Sequence, residues 1–327
     1  MGKYKLINNV LGWIVFAIAS TVYLMTMEPT ASFWDCGEFI SSAYKLEVGH
    51  PPGAPFFMLT ANLFTQLASD PSTVAKMVNT MSALFSGLTI LFLFWSITHL
   101  ARKIIVKDGE EASLGQMITI MGSGLVGALA YTFSDTFWFS AVEGEVYAYS
   151  SLFTAVVFWL ILKWEATYDK PHADRWIVLI AYLMGLSIGV HLLNLLCIPA
   201  IVLVYYYKKF PNPTMKGTLI ALLVSFAIVG LMMYGVVQGL VEVCGYFELL
   251  FVNTFGMPYN SGVYAFVIIL AASLIWAIWE TMQDEIHPVR MKISFILSIV
   301  LLGIPFIGSG YVIAVILTAA LTAYLFM

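Results

Sequence analysis

Runs of about 20 apolar residues recur along the whole chain, and they restrict its fold more than any other feature. A run of that length spans a bilayer as one helix, whereas the strands of a membrane barrel are shorter and alternate apolar with polar residues. Charged residues make up 10% of the 327 residues, compared with about 25% in soluble domains, which is too few to cover a globular surface. The sequence therefore predicts an all-α polytopic membrane protein.

The basic residues predict how the chain is threaded through the membrane. Thirteen of the 15 Lys and Arg residues lie in five groups, which the positive-inside rule assigns to the cytoplasm. These groups are Lys3 and Lys5; Arg102, Lys103 and Lys107; Lys163, Lys170 and Arg175; Lys208, Lys209 and Lys216; and Arg290 and Lys292. An even number of crossings between consecutive groups gives about ten helices with both termini inside. They are expected near 10–27, 74–102, 117–134, 147–163, 176–191, 192–207, 217–238, 262–280, 293–308 and 310–327.

The loops on the other side are acidic, and two of them are candidates for a site. The first outer loop covers 28–73 and the second covers 135–150, and both contain paired carboxylates next to aromatic residues. We expect one transmembrane domain over residues 1–327. Since the chain stops inside or just after an apolar helix, we also expect it to be the N-terminal part of a longer protein.

Within the first outer loop, the pattern predicts two helices that lie along the membrane surface. A helix from Asp35 would have a polar face of Asp35, Glu38, Ser42 and Lys45 beside an apolar stripe of Phe39, Ala43 and Leu46. The prolines of "HPPGAPFF" end this helix because they lack the N–H donor that a helix needs. A second short helix is expected over 54–68.

The stretch 176–207 is too short for two complete crossings, although both of its flanks are basic. Each limb would reach only about 24 Å, less than the hydrocarbon core of about 30 Å. Its turn, near His191 and Asn194, should therefore lie in a hollow below the outer surface. Such a hollow is a suitable place for a site.

The four acids of the outer loops allow two interpretations. "SFWD" fits a capping box that starts the first surface helix, and Glu143 could cap the fourth membrane helix. Alternatively, Asp35, Glu38, Glu143 and Glu145 line a shared chamber, in which carboxylates and the rings of Trp34 and Tyr147 would bind a sugar. Two carboxylates can also divide the acid and base roles of a reaction.

Three further residues have a structural and a functional interpretation. His50 either fixes a turn before the proline pair or hydrogen-bonds a phosphate or a sugar hydroxyl. His191 is either a helix–helix contact or a functional ionisable group within the membrane. Lys45, one of two outer cations, is a candidate partner for a lipid phosphate.

The sequence contains no pattern for a metal, a nucleotide or a nucleic acid. Its cysteines have no metal-ligand spacing. Cys36 and Cys244 could form a disulfide outside the membrane, or all three thiols could be free. A secondary transporter and a non-catalytic assembly subunit stay open as alternatives to an enzyme, although the acids cluster in the outer loops and not at the membrane midplane.

The segment "TASFWDCGEFISSAYKLEVGHPPGAPFF" resembles the start of membrane glycosyltransferases of the C-type fold. More closely, the first 200 residues resemble the protein O-mannosyltransferase-like group of bacteria and animals. The similarity lies in Asp-x-x-Glu at 35–38, HPPG-x-P at 50–55, "VEGEVYAYS", and "GVHLLNLLCIPA" at 189–200, in this order.

This resemblance implies a polyprenyl-phosphate sugar donor, with mannose as the sugar, and a protein or glycan hydroxyl as the acceptor. Asp35 would be the general base of an inverting transfer, assisted by Glu38, while Glu143 and Glu145 position the substrates. His50, Lys45 or His191 would contact the phosphate. No metal or other cofactor would be required, and the site would face the outside of a plasma or bacterial inner membrane.

Overall fold

The computed structural model describes residues 2–51, 53–107, 109–283, 287–306 and 311–326, and all regular structure in these ranges is helical. Seven of these helices are long and apolar enough to cross a membrane. The prediction of an all-α polytopic membrane protein is therefore confirmed. About ten crossings were predicted, but three of them correspond to described helices of only 14, 14 and 16 residues. These three are shorter than the helices that meet the length criterion for a membrane span.

The chain divides into two compact units, Met1–Thr214 and Met215–Met327. The α-helices described in unit 1 are α1 (Gly2–Thr26), α2 (Cys36–Lys45), α3 (Pro55–Thr65), α4 (Val74–Ile105), α5 (Leu114–Thr132), α6 (Asp135–Ala141), α7 (Val146–Glu165), α8 (Arg175–Ile188) and α9 (Ile198–Lys209). Short 3-10 segments precede α4 at Pro71–Thr73 and α9 at Leu192–Cys197.

Small residues allow the long helices of unit 1 to pack closely. A Cβ atom at Gly87 of α4 would lie 2.0 Å from Oγ of Ser20 in α1, and one at Gly124 of α5 would lie 2.5 Å from the methyl group of Thr98. Small residues at such crossings are the usual means by which membrane helices approach each other. At one end of this bundle, the Tyr23 hydroxyl donates to the carbonyl of Thr132 at 2.9 Å.

The two short helices predicted for the first outer loop are present as α2 and α3. The predicted faces of α2 are wrong in two places, because Ser42 is buried and Leu46 is exposed. Leu46 has φ 54° and forms the left-handed cap that ends α2, so its side chain leaves the apolar stripe. Phe39, Ile40 and Ala43 form the buried face instead.

The predicted hairpin over 176–207 is also present, as α8, a tight turn, the 3-10 segment and α9. Its turn packs against the start of α3, since the Gly189 carbonyl accepts hydrogen bonds from the backbone N–H of Phe56 at 2.7 Å and of Phe57 at 3.2 Å. A Cβ atom at Gly189 would lie 2.8 Å from Cβ of Phe56, so this contact requires glycine. The hairpin thereby joins the first outer loop.

Unit 2 has a longer first helix than predicted. Its described helices are α10 (Met215–Thr254), α11 (Ser261–Thr281), α12 (Pro288–Leu301) and α13 (Tyr311–Phe326), and α10 includes π-helical turns. The predicted end of α10 at residue 238 is wrong because the helix accommodates both following acids. Glu242 accepts a hydrogen bond from the Tyr246 hydroxyl at 2.9 Å, and Glu248 accepts from the backbone N–H of Asn260 at 2.6 Å. Parts of the predicted helices 293–308 and 310–327 lie outside the described residues.

Candidate active site

Asp35 lies at the N-terminal end of α2 but does not cap it. The helix begins at Cys36, and the Asp35 carboxylate makes no hydrogen bond to its backbone. The predicted capping box is therefore wrong, and the Ser32 hydroxyl bonds to Glu143 instead. Trp34, which precedes Asp35, has φ 60° and a 90% exposed side chain. A left-handed conformation costs a bulky residue roughly 1–2 kcal/mol, so this turn is held in place by its surroundings.

His50 lies between the carboxylates of Asp35 and Glu38. Its backbone N–H donates to Oε1 of Glu38 at 2.6 Å, and its ring Nδ1 lies 3.1 Å from Oε2 of the same residue. These bonds lower the pKa of Glu38, the backbone bond having the larger effect. The other ring nitrogen, Nε2, lies 4.0 Å from Oδ2 of Asp35. The turn continues with a 2.8 Å bond from Gly53 N–H to the His50 carbonyl, while Pro52 of the HPPG motif lies outside the described residues.

The same three side chains could also hold a cation. Ligand atoms from Asp35, Glu38 and His50 lie within 4.8 Å of one another. However, both oxygens of Glu38 already contact His50, so the geometry is that of a carboxylate–imidazole–carboxylate chain.

Glu143 and Glu145 lie in the short turn between α6 and α7, and both are buried. Glu145 accepts a 2.9 Å hydrogen bond from Val146 N–H at the start of α7. The prediction that Glu143 caps this helix is therefore wrong, because Glu145 does so. Glu143 instead bonds to side chains of the first outer loop, Ser32 and Cys36. A Cβ atom at Gly144 would lie 2.9 Å from Oδ1 of Asn79 and 3.0 Å from Ile40, so glycine lets this turn approach α2 and α4. The predicted meeting of the two outer loops is therefore observed.

Burial changes the protonation chemistry of this cluster. It raises the pKa of Glu145 to about 7, with further increases from the charges of Glu143 and Asp35. Burial also raises the pKa of Glu143. The pKa of the Cys36 thiol rises to about 12, because it is buried beside Glu143 and Glu145. Near neutral pH, Glu145 can therefore either donate or accept a hydrogen bond.

Sequence reasoning did not identify Asn79 as part of this region. This fully buried residue of α4 donates from Nδ2 to the carbonyls of Glu28 at 2.7 Å and Thr30 at 3.0 Å. It fixes the start of the first outer loop against the bundle. The signal was present in the sequence, since a polar amide in the apolar run "AKMVNTMS" needs a partner.

His191 and Tyr147 form the side of the site next to the hairpin turn. The ring centroids lie 5.5 Å apart, and Tyr147 is in the first turn of α7, two residues after Glu145. Nδ1 of His191 accepts a 3.1 Å hydrogen bond from Leu193 N–H, which assigns the proton of the neutral ring to Nε2. Burial lowers the pKa of His191, so the neutral ring with an Nε2–H donor is favoured.

Lys45 is exposed and lies 3.9 Å from Glu47, which is not one of the clustered acids. Of the two alternatives for the cysteines, the structure has the free thiols, since Cys36, Cys197 and Cys244 are all unpaired.

An apolar cavity of about 830 Å³ lies in unit 1 among α4, α5, α7 and the hairpin turn. Its lining runs along α4 from Thr89 to Leu100, a distance of about 16 Å. Leu193 and Leu196 of the hairpin turn close one side. Since His191 caps the 3-10 segment that contains these two leucines, the cavity adjoins the side of the site that His191 and Tyr147 form.

Known proteins are similar to the part of the chain that contains the candidate site. The profile of a family described as the protein O-mannosyl-transferase TMEM260 N-terminal domain matches residues 35–214. Protein O-mannosyl-transferase TMEM260 of Mus musculus is 28% identical over 174 residues, which are 53% of this chain and 22% of that protein. Protein O-mannosyl-transferase tmem260 of Dictyostelium discoideum is 26% identical over 148 residues, 45% of this chain and 16% of that protein. The chain thus matches about a fifth of each relative's length, and no solved structure shows a significant match.

Proposed function

The chain belongs to the family of the protein O-mannosyl-transferase TMEM260 N-terminal domain, and on this premise we propose that it carries the active site of a membrane glycosyltransferase. The reaction would move a sugar, mannose, from a polyprenyl-phosphate donor to a hydroxyl group of a protein. Both of the relatives compared above are named as protein O-mannosyl-transferases. The lipid donor, the inversion and the residue roles are proposals.

The position of Asp35 carries the proposal. Its side chain is 56% exposed, does not cap α2, and lies at the edge of a cluster of buried acids. Asp35 would accept the proton of the acceptor hydroxyl while the hydroxyl oxygen attacks the anomeric carbon. The bond from that carbon to the phosphate oxygen breaks on the opposite face, so the sugar is inverted and the phosphate leaves with the bonding electrons. A general base needs direct hydrogen-bond reach to the proton, which an exposed carboxylate can have.

The remaining residues would bind the sugar and the phosphate. Glu143 and Glu145 would hydrogen-bond sugar hydroxyls, and a half-protonated Glu145 can act as donor or acceptor. The exposed rings of Trp34 and Tyr147 offer flat apolar faces for the sugar.

The phosphate would lie near His50 and the Nε2–H of His191, with Lys45 at the rim. Glu38 would orient His50 through its two hydrogen bonds. A phosphate monoester leaving group carries less charge than a pyrophosphate, so this proposal requires no metal.

The apolar cavity beside the hairpin turn supports the proposal of a lipid-linked donor. A polyprenyl chain could lie along Leu93, Ile97 and Leu196 while its phosphate extends toward His191. The basic residues at the other end of the helices support an active site on the outer face of the membrane, which in a bacterium is the periplasmic face.

Transfer of labelled mannose tests this proposal directly. Membranes containing the chain would be incubated with polyprenyl-phosphate mannose and a Ser/Thr-rich peptide. We expect label in the peptide and an α/β configuration opposite to that of the donor. Absence of transfer to peptides and glycans, combined with uptake of a small solute, would favour the transporter alternative.

A further inference from the structure

Unit 1 contains a second cavity, which is polar and has a volume of about 540 Å³. It lies at the end of unit 1 away from the candidate active site. Arg102 lines it, while Asn79, which holds the acidic loops, lies 23 residues earlier on the same helix. That separation corresponds to about 35 Å, so the cavity is distinct from the candidate active site. Its charge is also opposite, because Lys5, Arg102 and Lys163 line it and no acidic residue does so among the described residues.

Two of these three cations are held over aromatic rings. Cζ of Arg102 lies 4.7 Å from the ring centroid of Tyr4, and Nζ of Lys163 lies 4.6 Å from that of Trp159. Such contacts fix a cation without neutralising it. The site is therefore preorganised for a negatively charged group.

Among the described residues, the cations of this cavity have no carboxylate in ion-pair contact. No such group lies within 4.0 Å of Lys5, Arg102 or Lys163, and the acid whose pKa the Arg102 charge helps to lower is Glu111. The adjacent Lys103 and Lys208 differ in this respect, since both pair with Glu165. Three like charges around one cavity repel each other unless an anion joins them.

Unpaired polar atoms in the cavity lining point to the same ligand. Nε2 of His99 and Oδ1 of Asn8 are buried and have no hydrogen-bond partner among the described residues. A buried polar atom without a partner is destabilising, and native proteins contain few of them. His99 can donate from Nε2, and the Asn8 amide can present its NH₂ group after a 180° rotation.

We propose that this cavity binds a phosphate group through Lys5, Arg102 and Lys163, with His99 and Asn8 as hydrogen-bond donors. The phosphate has two sources, the headgroup of an anionic phospholipid or free phosphate in solution. A basic pocket between the ends of membrane helices is suited to a lipid headgroup.

Binding would be measured by native mass spectrometry of the chain in neutral detergent. The probes are phosphatidylglycerol, zwitterionic phosphatidylcholine and inorganic phosphate. The test variant combines Arg102→Gln with Lys163→Gln. The control variant combines Lys170→Gln with Lys209→Gln, which removes two exposed cations outside the cavity.

We expect phosphatidylglycerol to bind more tightly than phosphatidylcholine, and the cavity variant to lose about 25-fold in affinity, or about fivefold per cation. The control variant should bind like the wild type. If inorganic phosphate binds to the wild type and this binding is lost in the cavity variant, the source of the phosphate is the solution. Failure of both phosphate probes to exceed phosphatidylcholine, or an equal loss in the control, overturns the proposal. If the double variant does not fold, Lys5→Gln decides, since this side chain is exposed and its removal should cost about fivefold.

Discussion

His50 is bound twice by Glu38, through its backbone N–H at 2.6 Å and through ring Nδ1 at 3.1 Å. The two residues are 12 positions apart, so this contact closes the chain segment that contains most of α2. When Nδ1 donates to Glu38, Nε2 is directed toward Asp35, 4.0 Å away. The contact therefore sets the orientation of an imidazole beside the proposed base.

Replacing Glu38 by Gln should weaken this orientation without removing a group that contacts the acceptor. We expect the rate of sugar transfer to fall about 10- to 100-fold, because small displacements of aligned groups have effects of that size. The pH–rate profile should also change its acid limb, since the pKa of Glu38 is lowered in the wild type. The matched control is Glu47→Gln, which alters an exposed carboxylate of the same loop. An unchanged rate and an unchanged profile in Glu38→Gln would exclude this positioning role.

Glu145 should make stability depend on pH in an unusual direction. Its folded-state pKa is about 7, above the ordinary value of 4.5, so the folded state binds more protons between these values. Stability therefore falls as pH rises from about 4.5 to about 7, by at most about 3 kcal/mol. Glu145→Gln should flatten this part of the curve, as measured by thermal unfolding in detergent, whereas Glu47→Gln should not. The assigned direction would be contradicted if the stability of the wild type rose between about pH 4.5 and pH 7 and this rise disappeared in Glu145→Gln.

Trp34 has a strained backbone conformation, and we expect its ring to contribute to sugar binding. Trp34→Ala removes the ring but keeps a side chain at φ 60°, while Trp34→Gly removes both the ring and the strain. Both variants should raise the KM for the donor, and the Gly variant should be about 1 kcal/mol more stable than the Ala variant. Wild-type KM values in both variants would remove Trp34 from the proposed sugar site.

The apolar cavity can be tested with donors of different chain length. Leu196→Trp should fill part of the cavity and raise the KM for a long polyprenyl donor, with little effect on a donor with a short, water-soluble chain. Leu219→Trp is the matched control, because Leu219 is an exposed leucine of unit 2. Equal effects on both donors would show that the cavity does not hold the lipid chain.

The sequence predicted those parts of the fold that local chemistry determines. Prolines and surface-helix patterning located α2 and α3, and the short stretch between two basic groups located the hairpin. The end of α10 was missed because Glu242 and Glu248 find partners within the folded unit, which no local pattern reveals.

The candidate site was predicted by residue type more successfully than by contact. The paired acids indicated that the two outer loops meet, but the capping roles of Asp35 and Glu143 were wrong. Which residue caps a helix depends on backbone geometry. Here that geometry is set by the left-handed turn at Trp34 and by the close approach of the chain at Gly144. The Glu38–His50 contact depends on a turn that folds the chain back over 12 residues, so it was accessible only from the structure.

The most direct measurement of the central claim is the rate of mannose transfer by Asp35→Asn. Asp70→Asn is its control, since Asp70 caps the 3-10 segment of the same loop and Asn caps a helix equally well. We predict that Asp35→Asn lowers the rate by about 10²–10⁴-fold with binding of the donor retained, and that Asp70→Asn transfers at the wild-type rate. Transfer by Asp35→Asn at the wild-type rate would contradict the assignment of Asp35 as the general base.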